Sequence, residues 1–102
     1  MSAAKLMERF REGQNLARQH RYAEAEQAFR ECLDMRLNDL PARNQLALVL
    51  SRTGRQEAAE RELLRSLQQD NRNLPTLSQL GALYERTGRK AEAEQAYREC
   101  LK

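Results

Sequence analysis

The sequence predicts an all-α fold, a solenoid of three stacked helix-turn-helix units comprising six helices in one domain. The first observation behind this is a period. AEAEQAFRECL at 23–33 returns as AEAEQAYRECL at 91–101, an offset of 68 residues, twice 34. At the 34-residue offset Arg52-Thr53-Gly54-Arg55 returns as Arg86-Thr87-Gly88-Arg89, Leu40-Pro41 as Leu74-Pro75, and Gln45-Leu46 as Gln79-Leu80. Such a period marks one supersecondary unit that buries its apolar face only by stacking on its neighbours. The second observation is apolar spacing of helical type inside each unit, and the third is glycine and proline punctuation between the helices.

The units fall at about 6–39, 40–73 and 74–102, the last cut short. Helices are expected near 3–19, 22–36, 40–53, 56–70, 74–87 and 90–102. In the second unit Leu46, Ala47, Val49 and Leu50 make one stripe, and Ala59, Leu63 and Leu67 make the next at i, i+4, i+8. Gly54 between them supplies the left-handed residue that ends a helix. Asn38 or Asp39 before Pro41, and Asn73 before Pro75, supply an N-cap followed by a proline where its missing N–H is harmless. Gly13, Ala47 and Gly81 are equivalent on the first helix of each unit, and Ala25, Ala59 and Ala93 on the second, so both helices carry a short side chain where their axes approach. Bulk fills the remaining core positions: Leu46 and Leu80; Leu16, Leu50 and Tyr84; Phe29, Leu63 and Tyr97; Leu33, Leu67 and Leu101.

Composition agrees with exposed helices bearing narrow apolar stripes: 32% charged, 40% hydrophobic, four glycines and two prolines in 102 residues. A net charge of +3 from 18 basic and 15 acidic side chains does not by itself nominate a polyanion. No apolar run approaches the roughly 20 residues that span a bilayer, and Met-Ser-Ala-Ala-Lys at the start lacks the apolar core of a secretory signal. A soluble, cytoplasmic protein without membrane association is the expectation. Cys32 and Cys100 occupy equivalent positions two repeats apart, roughly 20 Å at one packed helix layer per ~10 Å. That exceeds disulfide reach, so both are expected to be reduced packing residues.

The third unit, with Leu77, Leu80-Gly81, Tyr84, Ala93 and Tyr97, resembles the tetratricopeptide repeat, although Cys100 stands where that pattern has Ala. The resemblance covers nearly the whole chain and implies a right-handed superhelical solenoid whose function is binding, not chemistry. The first unit departs from the pattern with Arg9, Glu12 and His20 in place of a large apolar residue, Leu and the turn Gly. Its first helix is therefore expected at the end of the stack with one side in water. At the other end the family adds a polar-faced helix after its last repeat. Here the sequence is expected to be a fragment of a longer array, or to have that end covered by a partner or a second copy.

No residues gather for catalysis. His20, the one histidine, has no nucleophile or acid at a useful spacing; two distant cysteines and one histidine do not make a metal site; the four glycines are isolated. A non-catalytic protein without cofactor is expected, and a surface is what remains. Positions opposite the packed stripe on the first helices would line a concave face: Met7, Phe10, Gln14, Ala17 and Arg18; then Asn44, Leu48, Ser51 and Arg52; then Ser78, Ala82, Glu85 and Arg86. Arg18, Arg52 and Arg86 are equivalent and form a ladder suited to carboxylates, with Asn44 and Gln14 available to a peptide backbone. Helix-end solvation is the competing explanation for the arginines, local packing that for Phe10, and Glu85 argues against a purely anionic ligand.

The family clamp for the C-terminal carboxylates of chaperones needs Lys and Asn, then Asn, then Lys and Arg, at places that hold Phe10, Gln14, Gln45, Pro75 and Gln79. The resemblance thus implies no such grip. The leading expectation is a module that binds a protein or peptide, acidic in character, in the concave groove. The alternative is self-assembly through stack ends around Met7 and Tyr97 to Leu101. Nucleic-acid binding is the weakest reading, because a pI near 9.2 comes with no aromatic stacking array.

Overall fold

The computed structural model describes residues 3–102 as six helices: α1 (Ala3–Arg18), α2 (Tyr22–Met35), α3 (Leu40–Arg52), α4 (Gln56–Gln69), α5 (Leu74–Arg86) and α6 (Lys90–Cys100). Their bounds lie within two residues of the expected ones, and no strand occurs among the described residues. Successive helices pair as hairpins, α2 packs on α3 and α4 on α5 to join the units, and α3 touches both α1 and α5. The result is an elongated stack of 41 × 26 × 18 Å.

Two kinds of boundary alternate along the chain. At α3 and α5 a side chain caps the helix: Asp39 accepts from the Ala42 N–H at 3.1 Å and Asn73 from the Thr76 N–H at 3.0 Å, with Pro41 and Pro75 in the first turn. At α2, α4 and α6 no side chain caps the start. There the turn is closed by backbone bonds five residues back, Arg21 N–H to Leu16 O, Arg55 N–H to Leu50 O and Arg89 N–H to Tyr84 O, at 2.9, 2.9 and 2.8 Å. Such a closure needs a left-handed residue just before it. Gly54 and Gly88 supply φ values of 85° and 79°, and His20 is forced to 61° at the equivalent place.

Inside each hairpin one small residue faces one large one. A Cβ on Gly13 would sit 2.7 Å from Phe29 Cε1, and one on Gly81 would sit 2.5 Å from Tyr97 Cε1. In the middle unit Ala47 and Leu63 hold the equivalent positions, and both are buried. Glycine therefore accompanies a ring and alanine a shorter leucine, conserving volume at the contact. Phe29, Leu46, Leu50, Leu63 and Leu80 form the continuous core, with Phe10 edge-on to Phe29 at a centroid distance of 5.7 Å.

The expected core positions at the far end behave differently. Phe29 and Leu63 are 0% and 2% exposed, but Tyr97 is 37% exposed and Leu101 87%. Cys100 is half-buried, whereas Cys32 is buried with its thiol donating to Leu6 O at 3.8 Å; both thiols are free. The reason is positional, since each second helix is covered by the first helix of the following unit and no described residue covers α6.

Polar contacts also follow the period. Arg55 at the start of α4 reaches back to Glu26 on α2, and Arg89 at the start of α6 reaches Glu60 on α4 at 2.6 Å. Arg89 also pairs with Glu92 and lies 4.5 Å over the Tyr84 ring. Arg55, then Arg30, holds the Glu26 carboxyl below its ordinary range. Burial, reinforced by Glu60, pushes the Tyr84 phenol up to about 12. In α1, Arg9 at the unexpected apolar position pairs with Glu12 and with Glu31 of α2, and Glu8 and Glu12 face water.

Gly13→Ala is expected to destabilise the fold by about 1–3 kcal/mol, because Phe29 is enclosed, while Gly81→Ala costs less because Tyr97 has room to swing outward. Thermal melts of the two variants check the ordering. His20→Gly is expected to stabilise by about 0.5–1 kcal/mol by relieving the left-handed backbone at a non-glycine residue, a rise of about 2–8 °C in Tm; an unchanged or lowered Tm would contradict it.

Candidate functional site

Three cavities run in sequence along the inner face of the first helices. The first, about 350 Å³, lies between α1 and the start of α3 and is lined by Leu6, Met7, Phe10, Arg11 and Gln14, with Arg36, Asp39 and Pro41. The second, about 270 Å³, shares Gln14 and continues over Ala17, Arg18, His20, Tyr22, Gln45, Leu48 and Arg52. The third, about 70 Å³, shares Leu48 and ends against Ser51, Gln79, Ala82 and Arg86. The shared residues make one interrupted groove.

Its lining reduces to three rows at the 34-residue period: Arg11, Gln45 and Gln79; Gln14, Leu48 and Ala82; Arg18, Arg52 and Arg86. Within α1 these are positions 11, 14 and 18, preceded by Met7, spacings of four, three and four that hold one helical face. Phe10, Gln14, Arg18, Leu48, Arg52 and Arg86 are thus brought together as expected from the sequence. Asn44, Ser78 and Glu85 are not.

The correction has a geometric cause. Asn44 is 5% exposed and donates to Thr76 Oγ1 at 2.8 Å, so its amide joins α3 to α5 instead of facing a ligand. Ser78, at the same position one unit on, is exposed but lines none of the three cavities. Glu85 stands one turn after Gly81, on the side of α5 that meets α6, and accepts the Tyr97 hydroxyl. The residues missed are Arg11, Gln45 and Gln79. Their signal is present in the sequence, since the Gln45-Leu46 recurrence marks that row and the spacing of 7, 11, 14 and 18 holds one helical face.

The groove is basic: five arginines against one carboxylate, Asp39, whose side chain caps α3. The three arginines of the ladder are not alike. Arg18 is held by Asn15 Oδ1, and Arg86 donates to Ser51 Oγ of the preceding unit. Arg52 makes no side-chain hydrogen bond or ion pair among the described residues. The residue one unit before Ser51 is Ala17, which offers no acceptor. Arg52 and Arg18 line the same cavity, so one unspent guanidinium and one lightly tethered one share a space with Gln14, Gln45 and the apolar Leu48. Such a set pairs carboxylates bidentately and satisfies a peptide backbone through the glutamine amides. No group of His, Cys, Asp and Glu fit to hold a metal ion occurs among the described residues, and none of their helices is long and apolar enough to cross a membrane.

The stacked hairpins define a helical-repeat protein. The family model for the tetratricopeptide repeat matches residues 13–38 and 76–102, just over half of the sequence, and the chain belongs to that family. No curated protein sequence matches it significantly. Among solved structures it is similar to the Yersinia enterocolitica type III secretion translocator chaperone SycD, with 16% identity, a TM-score of 0.92, and coverage of 96% of this chain and 73% of that one. It is also similar to the second tetratricopeptide repeat domain of Spaghetti (RPAP3), bound to the HSP90 peptide SRMEEVD, at 14% identity, TM-score 0.85, and coverage of 94% and 89%. A chain of the CopN-Scc3 complex matches with 17% identity and TM-score 0.86, this chain covering 58% of that one. At these identities the likeness is one of fold.

Ala17→Ser restores the acceptor that Ser51 provides one unit later and is expected to tether Arg52. The measurement is the Arg52 Nε–H resonance, which should sharpen and shift as it does for a hydrogen-bonded guanidinium; an unmoved resonance would show that the missing acceptor is not what leaves Arg52 unspent.

Proposed function

We propose that this protein is a non-catalytic interaction module that takes an extended acidic segment of a partner protein in the groove of α1, α3 and α5. The single observation behind this is the second cavity, where Arg18 and Arg52, which has no partner among the described residues, flank Leu48 between two glutamines. An acidic side chain of the segment pairs with the arginines, its backbone bonds Gln14 and Gln45, and an apolar residue enters the first cavity beside Met7 and Phe10. Turning Glu85 toward Tyr97 removes the carboxylate that would oppose such a ligand. The structural neighbours are in keeping with this reading: one is a chaperone, one holds a bound peptide and one is part of a two-protein complex. Of the five residues at the chaperone-clamp places, Phe10, Gln14, Gln45 and Gln79 line the groove and Pro75 does not. Phe10 and Pro75 stand where that clamp needs lysine and Gln79 where it needs arginine, so the segment recognised differs from a chaperone tail.

The test uses fluorescence anisotropy with pools of acidic, neutral and basic peptides about ten residues long. The acidic pool is expected to bind best, to weaken with salt, and to lose at least about tenfold in affinity, some 1.4 kcal/mol, in the Arg18→Glu, Arg52→Glu double variant. Both side chains are exposed, so the variant keeps its fold and its melt serves as the control. Equal binding of all three pools, or equal binding by the variant, rejects the groove reading; tighter binding of a single-stranded oligonucleotide than of any peptide pool would move it to nucleic acid.

A further inference from the structure

The three helix-ending turns are built alike except for one side chain. Gly54 and Gly88 enter the left-handed region with φ of 85° and 79°, whereas His20 enters it at 61°. Holding a non-glycine residue there costs conformational energy. The imidazole lines the second cavity together with Arg18, Arg52 and Tyr22, and its ring centroid stands 5.5 Å from that of Tyr22. Other departures from the period gather at the same place. Asn15, which holds the Arg18 guanidinium, has buried Val49 and Leu83 as its counterparts in the later units. Ala17, which leaves Arg52 without an acceptor, has Ser51 and Glu85.

The third cavity, one unit on, is an internal control. It holds about 70 Å³ and one charged side chain, Arg86, which already donates to Ser51 Oγ. The turn equivalent to that of His20 carries Gly54 and adds no side chain. The second cavity holds about 270 Å³, and no carboxylate among the described residues lines it. Its donors exceed what a carboxylate takes. One guanidinium fork occupies both oxygens of a carboxylate, which leaves the other fork and the imidazole N–H unused. A phosphomonoester brings three terminal oxygens and nearly two negative charges at neutral pH, enough to engage both forks and the imidazole.

We propose that the second cavity is a site for a phosphorylated side chain of the partner segment, paired by Arg18 and Arg52 and hydrogen-bonded by His20. The assignment rests on the groove taking an acidic segment, and it names the acid. Gln14 lines both this cavity and the first, so residues flanking the phosphorylated one lie beside Met7 and Phe10, contacts that a free phosphate ion does not use. The conformational cost at His20 is offset by a donor that glycine does not supply.

The test compares three peptide pools with randomised flanks, carrying phosphoserine, glutamate or serine at the centre, by fluorescence anisotropy near neutral pH and at constant salt. The phosphoserine pool is expected to bind at least about tenfold more tightly than the glutamate pool, and inorganic phosphate to compete only weakly. His20→Gly, which removes the third donor, and Ala17→Ser, which gives Arg52 an acceptor, are each expected to weaken phosphoserine binding about three- to tenfold. His20 and Arg52 are exposed, so affinity lost at a raised or unchanged Tm is lost ligand contact and not lost fold. Equal binding of the phosphoserine and glutamate pools, both above serine, overturns the phosphate site and leaves the acidic groove standing; no preference for either over serine overturns both. Inorganic phosphate that binds as tightly as the phosphoserine pool, or phosphoserine binding unchanged in both variants, also overturns the proposal.

Discussion

The contact on which the structure rests is the close approach of the two helices within each unit, achieved by matching a small residue on the first helix to a larger one on the second. Gly13 against Phe29, Ala47 against Leu63 and Gly81 against Tyr97 are three solutions to one spacing requirement. A missing methyl admits a ring, and an added methyl requires the shorter leucine. Because protein interiors pack near crystal density, the sum of the two volumes is constrained while the split between them is free. The helix-ending residues His20, Gly54 and Gly88 complete the hairpin by letting the chain reverse in the left-handed region.

Stacking then follows from what each hairpin leaves exposed. The second helix of one unit offers an apolar face and a glutamate; the next unit supplies an apolar helix and an arginine at the start of its own second helix. Arg55 with Glu26 and Arg89 with Glu60 are partly exposed pairs, so their contribution is modest beside the apolar burial. Their value is directional, because they occur only when the units sit in register. The buried Asn44 amide with Thr76 and Asn73 performs the same task on the inner side between α3 and α5.

The groove consists of positions that neither packing requirement uses. Its rows contain arginine, glutamine, leucine and alanine, and its electrostatics depend on where neighbouring side chains already bond. Arg86 is occupied because Ser51 lies one unit behind it, and Arg52 is unspent because Ala17 lies behind it. A repeat protein can in this way keep an identical residue at identical positions and still give its copies different chemistry, through a single hydroxyl in the adjacent unit.

The sequence by itself determined the period, the six helices, a cap at Asn38 or Asp39 and one at Asn73, the turns at Gly54 and Gly88, and the small-to-large positions, because each is a short-range requirement repeated often enough to be read; the structure chose Asp39. It also placed Phe10, Gln14, Arg18, Leu48, Arg52 and Arg86 on the inner face, since helical spacing carries that information. Tertiary structure alone decided that Asn44 is buried, that Glu85 turns to Tyr97, and that Tyr97 and Leu101 stand in the open. Those outcomes depend on which neighbour covers a face and which acceptor a side chain finds across a unit boundary, and neither is fixed by spacing along one helix.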